Sequence, residues 1–261
     1  MKADLRNVAV GWPGGLVAEG VNLSIDFADW NYRVPLVGKS GCGKSTLMYA
    51  VSGMMGLVQG DVRWSLSDGQ ETLLSANEAP SSGRERSQLR YRRFSFAFQD
   101  SALLPHLSVR QNLLYPLDIA MEKSGLVVAD IQAHLTQTLS MVLVGNEEPE
   151  RIMSMLPRQL SGGQRRRVAI AQSMVTMPEI LFLDEPAGGL DPQTKETVMA
   201  TIERWVDAGV PGTRAMIWVT HHLDENEFRY CRQVLAFTSK EGQTGSVVKA
   251  ISPEQVVRRS L

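Results

Sequence analysis

Val37-Gly38-Lys39-Ser40-Gly41-Cys42-Gly43-Lys44-Ser45-Thr46 contains G-x-x-x-x-G-K-S, the spacing of a phosphate-binding P-loop. Gly38, Gly41 and Gly43 permit tight turns that aim backbone N–H groups inward, so the stretch from Gly38 to Thr46 is expected to wrap an anion. Lys44 adds a point charge for the β- and γ-phosphates, and the Ser45 hydroxyl suits Mg2+. Two other stretches have related chemistry. Leu160-Ser161-Gly162-Gly163-Gln164 sets a serine hydroxyl and glycine N–H groups at a helix start, a second anion site. Ile180-Leu181-Phe182-Leu183-Asp184-Glu185 is an apolar strand ending in two carboxylates, at the edge where α/β sheets bind ligands.

Elements must hold these groups. An apolar run at 34–37 leads into the P-loop and a helix-compatible run at 47–51 leads out, as the motif requires. Pro35 in that strand predicts a missing rung or a bulge. Residues 8–10 and the alternating Leu23-Ser24-Ile25-Asp26-Phe27 read as strands around the loop signal Gly11-Trp12-Pro13-Gly14-Gly15, giving a small antiparallel sheet beside a parallel core. Strands are expected at 62–66 and 94–98. Between them, 67–88 reads as a polar loop with a short hairpin, then a helical turn near 84–93 whose Arg84, Arg86, Arg90, Arg92 and Arg93 form a solvated face. Pro105 and Pro116 bracket a short helix at 108–114. Helical periodicity over 127–143 and 151–156 makes 101–160 an inserted helical block, with Met121, Met141, Met153 and Met155 in its core. Helices are expected at 164–175 and 194–206, doubly buried strands at 180–183 and 215–220, a strand pair at 234–237 and 246–251, and a last helix opened by Ser252-Pro253-Glu254.

The chain has 261 residues, 43% hydrophobic and 21% charged, ordinary for a soluble globular protein with a large core. A formal net charge of -1 gives no overall pull toward nucleic acid or anionic membrane. No apolar run reaches the roughly 18–20 residues that span a bilayer, and the N-terminus lacks a signal-peptide core. Cys42 and Cys231 make no disulfide framework, and Cys42 reads as a reduced thiol. The expected location is cytoplasmic.

With the pentapeptide at 160–164 in the same chain as a P-loop, the sequence resembles the nucleotide-binding subunits of ATP-binding-cassette (ABC) transporters, whose signature it is. The resemblance covers residues 8–237. It implies an α/β P-loop ATPase with a mixed central sheet, a small antiparallel β subdomain and an inserted α-helical subdomain. The whole chain, 1–261, would be one ABC ATPase domain, with 1–100 and 161–261 its core and 101–160 the insert. Asp184 would hold Mg2+ with Ser45, and Glu185 would be the general base for the attacking water. Gln99 matches the Q-loop, touching Mg2+ or that water and hinging the insert. His221 matches the switch histidine that contacts the γ-phosphate and orients Glu185; His222 follows where an acid is frequent. Asp191, ending Ala187-Gly188-Gly189-Leu190-Asp191, would lie at a dimer interface, and Trp12 would stack on adenine. The runs 89–99 and 103–109 are similar to ATPases of the lipoprotein-releasing and macrolide-exporter group, and several bacterial importers are similar there too.

The resemblance implies hydrolysis of Mg-ATP in a composite site. One chain supplies the P-loop, Asp184, Glu185 and His221; a second ATPase subunit, expected to be another copy, supplies Ser161, Gly162, Gly163 and Gln164. Membrane-spanning permease subunits would dock on a groove lined by 103–117, placing the protein on the inner face of the cell membrane. The alternative is an ABC ATPase without transport, acting in cell division or cofactor assembly. Glu185 and His221 argue against a non-enzymatic nucleotide sensor, and the net charge argues against a nucleic-acid partner.

Overall fold

The doubly apolar runs become strands whose alternate side chains feed two separate cores. The computed structural model describes residues 1–77, 83–98, 102–221, 228, 230–239 and 246–259. Strands β3 (Arg33–Val37), β6 (Phe94–Ala97), β7 (Ile180–Asp184) and β8 (Ala215–Thr220) run parallel, with β8 between β3 and β7. Leu181, Leu183, Met216 and Trp218 point into one core; Ile180, Phe182, Ile217 and Val219 point into the other. The antiparallel part comprises β1 (Lys2–Trp12), β2 (Gly15–Asp26), β4 (Gln59–Ser65) and β5 (Glu71–Ser75). β9 (Val234–Ser239) runs parallel to β3, and β10 (Ser246–Ile251) joins β9 to β2. Among the described residues the result is a single mixed sheet of 10 strands, ordered β5-β4-β1-β2-β10-β9-β3-β8-β7-β6. The antiparallel part expected beside the parallel core is continuous with it.

Helix α1 (Lys44–Val51) follows the P-loop, and its Leu47 and Met48 pack into the core shared with Trp64, Phe94 and Phe182. Aromatic edges meet there: the Trp64 and Phe94 ring centroids lie 4.9 Å apart. After α2 (Gly83–Arg92) and β6 come α3 (Val109–Ser124), α4 (Ile131–Val142), α5 (Pro149–Ser154), a 3-10 turn at Pro157–Gln159 and α6 (Gly162–Met174). Their Leu113, Leu117, Leu135, Leu139 and Val168 share the second core with β7, β8 and helix α7 (Pro192–Asp207). Met153 is buried in it, while Met121, Met141 and Met155 pack at its margin. Helix α8 (Pro253–Arg259) closes the chain. Among the described residues no helix is long and apolar enough to cross a membrane.

Several local expectations are corrected. Pro116 does not end a short helix but lies inside α3. A proline leaves the carbonyl four residues earlier without its helical donor; here that is Asn112, and Gln172 Nε2 of α6 donates to it at 2.9 Å. Pro35 introduces no register shift against β8. Because the Tyr32 carbonyl accepts from Met216 on the β8 side, alternation turns the Pro35 nitrogen toward β9, whose pairing with β3 is confined to Leu36 and Val37. The expected helical turn near 84–93 is the full helix α2, and its arginines are not all solvated. Arg90 donates to the Gly53 carbonyl, and Arg93, just beyond the helix, pairs with Glu179 and Asp68. The loop signal at 11–15 tightens to the β1–β2 hairpin turn.

Asn112 pins the segment entering α3. It is fully buried; its Oδ1 accepts from Leu104 N at 2.7 Å, and its Nδ2 donates to the Leu104, Leu107 and Ser108 carbonyls at 3.1, 3.0 and 3.0 Å. Asn112→Ala strands these backbone groups, so we expect a loss of about 2–3 kcal/mol. Thermal unfolding followed by circular dichroism should show a midpoint lower by about 4–10 °C; an unchanged midpoint contradicts the assignment.

Candidate functional site

The P-loop leaves the C-terminal end of β3 as a chain of turns only glycine tolerates. Gly38 and Gly43 have φ of 149° and 95°. A Cβ on Gly38 would lie 2.7 Å from the Phe237 carbonyl oxygen, and one on Gly43 2.2 Å from Val17 Cγ1. Gly43 caps α1 without a side-chain hydrogen bond, and no acid occupies the helix's first turn. Its N-terminus therefore offers unshielded N–H groups to an anion. Lys39, Ser40 and Gly41 form an exposed crown, while Cys42, Lys44 and Thr46 are buried beneath it. Lys44 Nζ folds back onto the loop, donating to the Gly38 and Lys39 carbonyls at 2.9 and 2.8 Å. Burial pushes the Cys42 thiol pKa up despite the nearby Lys44 ammonium, consistent with a protonated, unreactive thiol.

Asp184, at the end of β7, meets α1. Ser45 Oγ donates to its Oδ1 at 2.8 Å, and Tyr49 OH donates to its Oδ2 at 2.6 Å. Tyr49 is a site residue the sequence reading missed, although it lies one helical turn after Ser45 on the same face. Burial, reinforced by Asp184, pushes its phenol pKa far above the ordinary value and keeps it a donor. A hydroxyl and a carboxylate brought together are hard oxygen donors, a set that fits Mg2+.

Glu185 has a left-handed backbone, φ 48°. Its carboxylate faces His221 Nε2 in direct contact, and His221 Nδ1 lies 3.4 Å from Lys44 Nζ. An ammonium only donates, so Nδ1 accepts and Nε2 carries the proton toward Glu185. The structure thus brings together Lys44, Ser45, Asp184, Glu185 and His221. Trp12, at the end of β1, joins them: its Nε1 donates to Thr46 Oγ1 at 3.2 Å, while the ring is 58% exposed beside the P-loop. Gln99 and His222 lie outside the described residues.

The second anion motif makes its contacts elsewhere. Ser161 caps α6, accepting from Gln164 N at 3.1 Å, and Gln164 Oε1 accepts from Ser161 N at 2.9 Å. Ser161 and Gly162 are exposed. Asp191 caps α7 by accepting from Thr194 N at 3.0 Å, and hydrogen bonds from the Thr194 hydroxyl and backbone N–H hold its carboxyl pKa below the ordinary value. A cavity of about 360 Å³ lined by Gln70, Thr72, Arg92 and Lys123 shares no residue with the P-loop.

The chain matches the family model described as ABC transporter over residues 22–188. It is 31% identical over 193 residues to the sulfate/thiosulfate import ATP-binding protein of Shewanella oneidensis, covering 74% of this chain and 45% of that one. It is 33% identical over 225 residues to the spermidine/putrescine import ATP-binding protein of Pseudomonas fluorescens, covering 85% and 54%. The chain thus spans about half the length of these two curated relatives. A putative ATP-binding protein of Brucella abortus is 31% identical over 252 residues, covering 97% of this chain and 84% of that one. A solved dimeric ATP-binding cassette in a post-hydrolysis state, bound to ADP and Pi, superposes with a TM-score of 0.72 at 25% identity, covering 96% of this chain and 98% of that one. None of these relatives supports the lipoprotein-releasing or macrolide-exporter affinity read from 89–109.

Glu147 anchors the start of α6: Gln164 Nε2 donates to it at 2.9 Å, and Arg167 reaches both its oxygens at 2.7 and 2.9 Å. Burial opposes its charged form, but bonds from the Val144 N–H, Gln164 and Arg167 prevail and hold its pKa below the ordinary 4.5. A depressed native pKa adds stability above the unfolded value and loses it as pH falls through the native one. In urea titrations wild type should exceed Glu147→Gln by on the order of 1 kcal/mol at neutral pH, with the gap closing progressively below about pH 5. A gap independent of pH contradicts this origin.

Proposed function

The chain belongs to the ABC transporter family, and from that premise we propose that it is an ATP-hydrolysing subunit that binds Mg-ATP at a dimer interface and drives transport through separate membrane-spanning subunits. One observation carries this reading: Lys44, Ser45, Asp184, Glu185 and His221 converge on one edge, while Ser161 and Gly162 are presented outward on another element. That separation supports a phosphate cradle completed by Ser161 and Gly162 of another chain.

The residues act as follows. Gly38, Lys39, Ser40, Gly41, Cys42, Gly43 and Thr46 wrap the phosphates through the backbone, and Lys44 exchanges its loop carbonyls for phosphate oxygens. Ser45 and Asp184 would hold Mg2+, whose charge offsets that of the phosphates. Glu185 takes a proton from the attacking water, and the His221 Nε2–H orients its carboxylate. Trp12 stacks on adenine, and Gln99 would touch Mg2+ or the attacking water and hinge the helical insert. A second copy contributes Ser161, Gly162, Gly163 and Gln164, with Asp191 near the shared surface. Two-fold symmetry then yields two sites. Residues 1–100 and 161–261 form the nucleotide-binding core, and 101–160 the helical insert that passes motion to the permease partners. The import relatives support such partners, and with them a position on the inner face of the membrane.

Glu185→Gln preserves shape while removing the base. ATP turnover should fall by about 100-fold or more, with ATP still bound in equilibrium dialysis. Unchanged turnover would refute the assignment of the base, and no ATP binding by wild type would refute the reading altogether.

A further inference from the structure

We propose that Arg166 is a positioning residue for Glu185, tying the general base to the helix that presents Ser161–Gln164. The inference rests on the ATPase reading for the role of Glu185, but its structural content is independent of it.

Arg166 is 6% exposed, on α6 just after the capping residues. Its Nε donates to the Pro186 carbonyl at 2.7 Å, and one terminal nitrogen donates to the Phe98 carbonyl at 2.8 Å. The other terminal nitrogen donates to the Glu185 carbonyl and lies 3.5 Å from that of Asp184. One planar, permanently charged fork thus grips backbone leaving both β7 and β6. Phe98 immediately precedes Gln99 in the sequence.

Glu185 needs such a grip. A non-glycine residue at φ 48° is held in a strained left-handed conformation, which persists only where surrounding bonds impose it. The Glu185 carbonyl accepts from both Arg166 and the Gly188 N–H, the latter at 3.0 Å. Relaxation of this backbone would swing the carboxylate away from His221. Because Arg166 belongs to α6, the base stands in place only while α6 does. The contacts described bear on backbone at the carboxylate edge, so the effect falls on the chemical step and not on nucleotide capture.

The test compares wild type, Arg166→Gln and Arg166→Lys in ATP turnover, ATP binding and hydrogen exchange at the Gly188 amide. For Arg166→Gln we expect kcat lower by about tenfold or more, KM within about twofold, and faster Gly188 exchange. Arg166→Lys, which keeps a charge, should recover part of both the rate and the protection; it also serves if the Gln variant does not fold. The proposal is overturned if kcat is unchanged, or if the rate falls only in step with the ATP-binding fraction while Gly188 exchange is unaltered. If wild type hydrolyses no ATP, the ATPase reading fails by itself, and Gly188 exchange alone then decides whether Arg166 holds Glu185.

Discussion

The site depends on three parallel strands ending side by side. In the order β3-β8-β7, the central strand delivers His221 between the phosphate loop and the carboxylates, where it touches both Lys44 and Glu185. The Ser45–Asp184 hydrogen bond at 2.8 Å closes the same gap from the side of α1. Parallel strands need long crossovers, so these groups come from segments far apart in sequence. The doubly buried sheet holds their relative positions through two independent cores. A slip of one residue in β7 would exchange its core faces and turn Asp184 away from Ser45.

Where chemistry is written locally, the sequence can be read directly. The P-loop glycines are dictated by backbone turns and by the approach of Val17 and Phe237, and the motif states them residue by residue. The carboxylates at the end of β7, the histidine after β8 and the serine cap of α6 are equally local, because each follows from where an element ends. Doubly apolar strands and the helical run between β6 and β7 followed from periodicity, whereas the ABC ATPase fold followed from the resemblance carried by residues 160–164 beside the P-loop.

What stayed hidden depends on partners distant in sequence. Tyr49 looks like an ordinary helix residue until Asp184 arrives opposite it, and Arg166 like one more charge in a basic run until its bonds to residues 98 and 184–186 are seen. Arg90 and Arg93 were misread for the same reason: a charge run seems solvated when its acceptors lie elsewhere. Pro116 was misread because the carbonyl it leaves free finds its donor in another helix. In each case a polar group's partner decides whether it is surface or scaffold.

On the proposed function, the phosphate cradle of one chain is completed by residues 161–164 of another. Mixed dimers of a Ser161→Arg chain with a Glu185→Gln chain test this most directly, by ATP turnover. A shared site leaves one of the two pairings intact, an unaltered cradle facing an unaltered Ser161. The mixture should therefore recover turnover that both homodimers lack, approaching about half the wild-type rate per mixed dimer if the sites act independently. A mixture as inactive as its parents would contradict a site shared between chains.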